Sequence, residues 1–179
     1  DAIFADFETI VMPGITHWLH PRFFAYFPAN SSPPSVLAEM LTATLGAQCM
    51  LWQTSPAATE METVMLDWLR QSVGLPEGFA GVIQDSASSA TLAAVLTMRE
   101  KALSWDGNKS GLAGQKPLRI YCSREVHTSI DRAIWIAGIG EDNLRRIPVT
   151  GENRGMDAAA LDTAIREDIA AGYKPAGII

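Results

Sequence analysis

From Pro33 onward, the apolar residues of this chain fall into two rhythms. Val36, Leu37, Met40, Leu41 and Leu45 keep helical spacing after a Ser32-Pro33-Pro34 start, and Gly46 ends the run. Ser55-Pro56 opens a second helix. In it Met61, Val64, Met65, Trp68 and Leu69 line one face, until Gly74 and Pro76 stop it.

Beyond Pro76 short and long segments alternate. Residues 81–84 read as a short strand, and 88–104 as a helix burying Leu92, Val95 and Leu96. A polar loop covers 109–115. Residues 117–122 read as a strand, 127–137 as a helix closed by Gly138, and 144–149 as a further strand. Residues 157–171 form a helix with Leu161, Ala164, Ile165 and Ile169 in register, and 176–179 begin another strand. Strand and helix alternating at this spacing predict an α/β fold, a mostly parallel sheet with right-handed crossovers and flanking helices. A parallel sheet that stops on an open edge is unfinished, so the polypeptide is expected to continue past Ile179.

Residues 1–31 keep neither rhythm. His17, Trp18, His20, Phe23, Phe24, Tyr26 and Phe27 crowd an irregular stretch punctuated by Pro21 and Pro28. So many large apolar groups need a cover, and a second subunit is a natural one.

Composition narrows the classes. The net charge is −6 and the pI about 5.0, with fourteen scattered lysines and arginines, which argues against a nucleic-acid surface. No apolar run reaches the roughly 18 residues of a membrane span, and no secretion signal opens the chain. Cys49 and Cys122 form no framework or metal spacing and read as buried free thiols of a cytoplasmic protein. His17 and His20 are three apart without a Cys, Asp or Glu to complete a metal set, so no metal is expected.

Two places can carry chemistry. Gln84-Asp85-Ser86-Ala87-Ser88-Ser89-Ala90-Thr91 follows a predicted strand and opens a helix. Small side chains, free N–H groups and the positive end of the helix dipole make a competent phosphate cradle. Ser86 or Ser88 acting merely as a helix cap accounts for the same pattern. His127 stands where a strand passes into a helix, at the carboxyl edge at which open parallel sheets bind ligands. A neutral imidazole there can stack on a planar ring or move a proton. A helix-entry histidine satisfied by backbone is the plainer reading.

The run His20-Pro21-Arg22-Phe23-Phe24-Ala25-Tyr26-Phe27-Pro28 resembles a signature of the group II pyridoxal-phosphate decarboxylases. Trp52, Ser55-Pro56-Ala57-Ala58-Thr59-Glu60-Met61-Glu62 and Asp67-Trp68-Leu69 agree with it. So do Gly81 to Ser88, and Tyr121-Cys122-Ser123 through His127-Thr128-Ser129. The motifs follow the family's order along the whole chain and are most similar to the aromatic-L-amino-acid decarboxylases.

The resemblance implies a fold-type I, aminotransferase-like large domain, incomplete at the C-terminus, in a homodimer with shared active sites. It implies pyridoxal 5'-phosphate as cofactor and decarboxylation of an aromatic L-amino acid to its amine and CO2. It assigns Ala87 and Ser88 to the cofactor phosphate, and His127 to stacking on the ring and to proton transfer. Trp18, Tyr26, Phe27, Pro28, Gln48 and Met50 go to the substrate pocket, the last two from the partner subunit. Residues 1–55 then form the pocket and dimer-interface segment, and 56–179 the first part of the cofactor domain. Asp85 stands where relatives commonly carry glycine, so it is kept out of the contacts. The lysine that holds the cofactor is expected beyond Ile179. An aldehyde synthase, a histidine or glutamate decarboxylase, and a catalytically silent dimerisation fragment stay open as alternatives.

Overall fold

In the computed structural model, residues 1–27 and 30–179 are described; Pro28, assigned to the pocket, and Ala29 lie outside them. The chain forms two compact units, Asp1–Met65 and Leu66–Ile179.

The first unit opens with a helical stretch. Helix α1, Ala2–Asp6, runs on through a π-helical turn, Phe7–Val11, and a 3-10 turn, Met12–Gly14. This differs from the irregular segment expected over residues 1–31. Ile3, Phe4, Phe7, Ile10 and Val11 do recur at helical spacing, a pattern masked by the aromatics and prolines that follow. Helix α2, Pro33–Leu45, starts on a reciprocal cap. Ser32 Oγ accepts the Ser35 N–H at 3.3 Å, and Ser35 Oγ accepts the Ser32 N–H at 3.1 Å. Gly46 ends it at φ 56°, a left-handed conformation glycine adopts without a Cβ clash. Helix α3, Pro56–Ser72, begins in this unit and ends in the next.

In the second unit, α4 (Ala87–Ala102) and the short α5 (Gly107–Ser110) lead into strand β1 (Leu118–Ser123). Then come α6 (Ser129–Ile136), β2 (Leu144–Ile147), β3 (Val149–Thr150), β4 (Gly155–Met156), α7 (Ala158–Ala170) and β5 (Lys174–Ile178). The main sheet has the order β2-β1-β5, all parallel, with Ile120 opposite Leu144 and Gly177. The expected α/β class with a parallel sheet is therefore present. Alternation along β1 divides the core. Ile120 and Cys122 pack with Val95, Ile130 and Ile134 of α4 and α6, while Tyr121 packs on the other face with Ile147 and Ala164.

Two strand expectations are corrected. Residues 81–84 form no strand, and neither sheet includes them. The strand expected over 144–149 is split at Pro148, which has no N–H to give a ladder. Its far part, β3, pairs antiparallel with β4 instead. Among the described residues no helix is long and apolar enough to cross a membrane.

Candidate functional site

The second unit holds the expected phosphate cradle and the histidine. At the start of α4, Ser86 Oγ accepts the Ser89 N–H at 3.2 Å, and Ser86 O accepts the Ala90 N–H at 3.0 Å. Ser86 is thus the cap. A helix leaves its first N–H groups without partners inside the helix, so those of Ala87 and Ser88 remain to receive an anion, with the exposed Ser88 hydroxyl beside them. A phosphate fits this donor set. The two sequence readings of the motif are therefore compatible, because the cap and the cradle use different residues.

His127 sits on the loop between β1 and α6. The Arg124 N–H donates to Ile147 O at 3.0 Å, and Ser123 Oγ accepts the Glu125 N–H at 3.2 Å. Arg154, on the turn between β3 and β4, pairs with Glu125 at 2.5 Å. His127 Nδ1 accepts the Ser129 N–H at 3.1 Å and lies 3.1 Å from Ser129 Oγ. Thr128 caps α6 without a side-chain bond, so the imidazole satisfies the helix's first N–H. The imidazole itself is exposed, and Ser129 is buried.

Both features point the same way. Helix α4 packs beside α6, and Arg99 Nη1, near the end of α4, donates to Ala137 O at the end of α6 at 2.9 Å. With their C-terminal ends together the two helices run in the same sense, and α6 begins at the carboxyl edge of the sheet, where the chain leaves β1.

On the opposite face lies a buried polar cluster that sequence reading did not single out. Asp168 of α7 is 4% exposed and takes Arg145 Nη1 at 2.9 Å and Arg119 Nε at 3.4 Å. The Arg119 guanidinium also stacks 3.8 Å from the Tyr173 ring centroid. Tyr121 is fully buried beside Asp168, and burial first, then the carboxylate, push its hydroxyl up to about 12. The Tyr121 hydroxyl and Asp168 Oδ2 make no hydrogen bond of good geometry among the described residues. Burial also raises the Cys122 thiol on the other face of β1, whereas Cys49, expected to be buried, is exposed on the turn after α2.

The first unit holds the aromatic segment. Trp18 stacks on Phe23 at 4.9 Å and on Tyr26 at 5.6 Å, the latter nearly parallel at 7°. Tyr26 has φ 57°, a conformation non-glycine residues adopt only when neighbours fix it. Phe27 is 94% exposed, and Gln48 and Met50 stand exposed just after α2. Trp18 and Tyr26 are thus brought together. His17 and His20 build local turns: His20 Nδ1 accepts the Arg22 N–H at 3.1 Å. Ser129 is the site residue that sequence reading missed. A hydroxyl residue two after a histidine, at a helix start, was the available signal.

Residues 1–179 match the pyridoxal-dependent decarboxylase conserved domain. The chain is 44% identical to the aromatic-L-amino-acid decarboxylase of Rattus norvegicus, over 97% of its own length and 38% of that protein. It is 40% identical to the phenylacetaldehyde synthase of Arabidopsis thaliana, over 98% of its length and 36% of that protein. The solved structure of Oryza sativa TDC with PLP and tryptamine superposes with a TM-score of 0.91 at 34% identity, covering 99% of this chain and 38% of that one. The chain therefore spans less than two fifths of the length of these relatives, and its sheet and flanking helices are those of the N-terminal part of a PLP-dependent decarboxylase fold.

Proposed function

Because the chain belongs to the pyridoxal-dependent decarboxylase family, we propose that it forms the phosphate-binding and aromatic-pocket part of an enzyme that decarboxylates an aromatic L-amino acid. The observation that carries this reading is the helix start of α4, whose free Ala87 and Ser88 N–H groups suit a phosphate. The similarity to an aromatic-L-amino-acid decarboxylase and to a structure solved with PLP and tryptamine supports an aromatic amino acid as the substrate.

Pyridoxal phosphate, when bound, supplies an electron sink for the pair released as the bond to the carboxylate breaks. Ala87 N–H, Ser88 N–H and the Ser88 hydroxyl hold the phosphate, with the helix dipole favouring its charge. His127 would stack on the ring and help to move a proton, roles that an imidazole on the loop between β1 and α6 can fill. CO2 leaves, and a proton takes its place on the substrate carbon. Trp18, Tyr26, Phe27 and Pro28 grip a planar side chain and exclude water. Gln48 and Met50 complete that pocket from the partner of a homodimer. The exposed apolar stripe of α2, with Leu37, Met40 and Leu41, supports such a dimer. Cys49 and Cys122, both free, suit a reducing cytoplasm. Residues 1–55 serve the pocket and interface, and 56–179 begin the cofactor domain.

The similarity to an aldehyde synthase favours one second reading. There the same groups would hold the substrate while O2 and water are consumed, giving aldehyde, CO2, ammonia and peroxide.

The test is CO2 release by the full-length protein with pyridoxal phosphate, across tryptophan, phenylalanine, tyrosine, dopa, histidine and glutamate. Release from aromatic substrates with the matching amine supports the decarboxylase. Peroxide and ammonia alongside CO2 select the synthase. Release only from histidine or glutamate, or from none, rejects the aromatic reading.

A further inference from the structure

We propose that Ser129 is a positioning residue that fixes His127 in the tautomer with its hydrogen on Nε2. The proposal rests on the reading above that His127 faces the cofactor ring. Its basis is a backbone bond. The Ser129 N–H points at His127 Nδ1 from 3.1 Å, and an N–H can only donate. The nitrogen that accepts it must keep its lone pair. The neutral ring therefore carries its hydrogen on Nε2.

A hydroxyl rotor could turn to suit either tautomer, but a helix N–H cannot. Ser129 is the first residue of α6, and its N–H is one of the orphan donors at a helix start. Thr128 gives it no side-chain acceptor, so the imidazole serves in place of a cap. Ser129 Oγ, also 3.1 Å from Nδ1, adds a second contact from a buried position. Ile130, Ala133 and Ile134 anchor the helix behind it in the core, so the donor does not follow the ring if the ring turns. A hydrogen on Nδ1 would face the Ser129 N–H directly. The ring is thereby left with one uncommitted nitrogen, Nε2, which acts as a donor.

The test uses the full-length protein with cofactor, histidine labelled with nitrogen-15, and long-range proton–nitrogen spectra, with His127 assigned by its loss in His127→Gln. The expected spectrum shows an unprotonated Nδ1 and a protonated Nε2. Ser129→Ala keeps the backbone N–H but loses Oγ. It should shift the Nδ1 resonance and lower kcat by about fivefold, the share of one ordinary hydrogen bond, with KM unchanged. Ser129→Thr should restore both. A protonated Nδ1 in the unaltered protein overturns the proposal, and this measurement stands even if the Ser129 variants fail to fold. A Ser129→Ala protein with an unprotonated Nδ1 but unchanged kcat would assign the tautomer to the backbone N–H alone, whereas a Ser129→Ala protein whose Nδ1 becomes protonated overturns the backbone basis. If instead His127→Gln and His127→Ala turn over normally, His127 has no part in the reaction. The catalytic reading then fails, while the tautomer is judged separately from the spectrum.

Discussion

Asp168 on α7 and Arg145 on β2 meet at 2.9 Å, and that contact ties the helix to the edge strand beneath it. Arg119 of β1 leans on the same carboxylate at 3.4 Å, so one acid answers two guanidinium groups. Removing it leaves the nearly buried Arg119 guanidinium without a carboxylate, while Arg145 keeps its pair with Glu167. Asp168→Ala should cost about 3–5 kcal/mol, the usual penalty for breaking a buried pair on one side. Urea unfolding of the full-length protein measures this. A loss within the range of ordinary surface changes would mean that water reaches the two arginines.

Tyr121 gives this cluster an alkaline signature. Its hydroxyl titrates at about 12 in the folded chain, against an ordinary value near 10. Between these values the folded state keeps a proton that the unfolded state has lost. Stability from this group is thus complete below pH 10 and disappears as the pH rises through about 12. Tyr121→Phe should flatten that part of the curve of urea midpoint against pH. Parallel curves for the two proteins would assign the alkaline slope to another group.

Gly177 lies where strand β5 passes under α4. A Cβ there would fall 2.3 Å from Met98 Sδ and 2.9 Å from its Cγ. Gly177→Ala should destabilise by about 1–3 kcal/mol through overpacking. The same change in a Met98→Ala background should cost much less, and a double-mutant cycle reads the coupling. Additive losses would show that backbone freedom, and not the methionine, selects glycine.

Ser88→Ala removes one hydroxyl from the proposed phosphate cradle and leaves its N–H in place. Pyridoxal phosphate affinity should fall roughly tenfold or more, as for a hydrogen bond to a charged group. Turnover at saturating cofactor should stay close to that of the unaltered protein. Equal affinity in a titration would take Ser88 out of the cradle.

Much of the fold is legible in the apolar rhythm. Ser32-Pro33 and Gly46 bracket α2, and Asp157 caps α7 through the N–H groups of Ala159 and Ala160, because caps are local chemistry written in adjacent residues. Residues 81–84 misled because a strand exists only through a paired neighbour, and neither sheet includes them. The tie of Arg119, Arg145 and Asp168 was equally hidden, since its members lie up to 49 positions apart in the sequence and converge only when the strands align. Of the candidate site, Ser86 to Ser88 and His127 could be read from their places at helix starts. The bond from Ser129 could not, because it depends on how the loop after β1 turns.

The place of β1 also sets an order of events. It lies between β2 and β5, and its second partner arrives only with residues 174–178, more than fifty positions later. During synthesis, Ile120 and Tyr121 have one strand beside them and then wait for the other. Closure of this sheet is therefore a late, long-range step, and a nascent chain halted before Tyr173 would present β1 as an open edge to other strands and to chaperones.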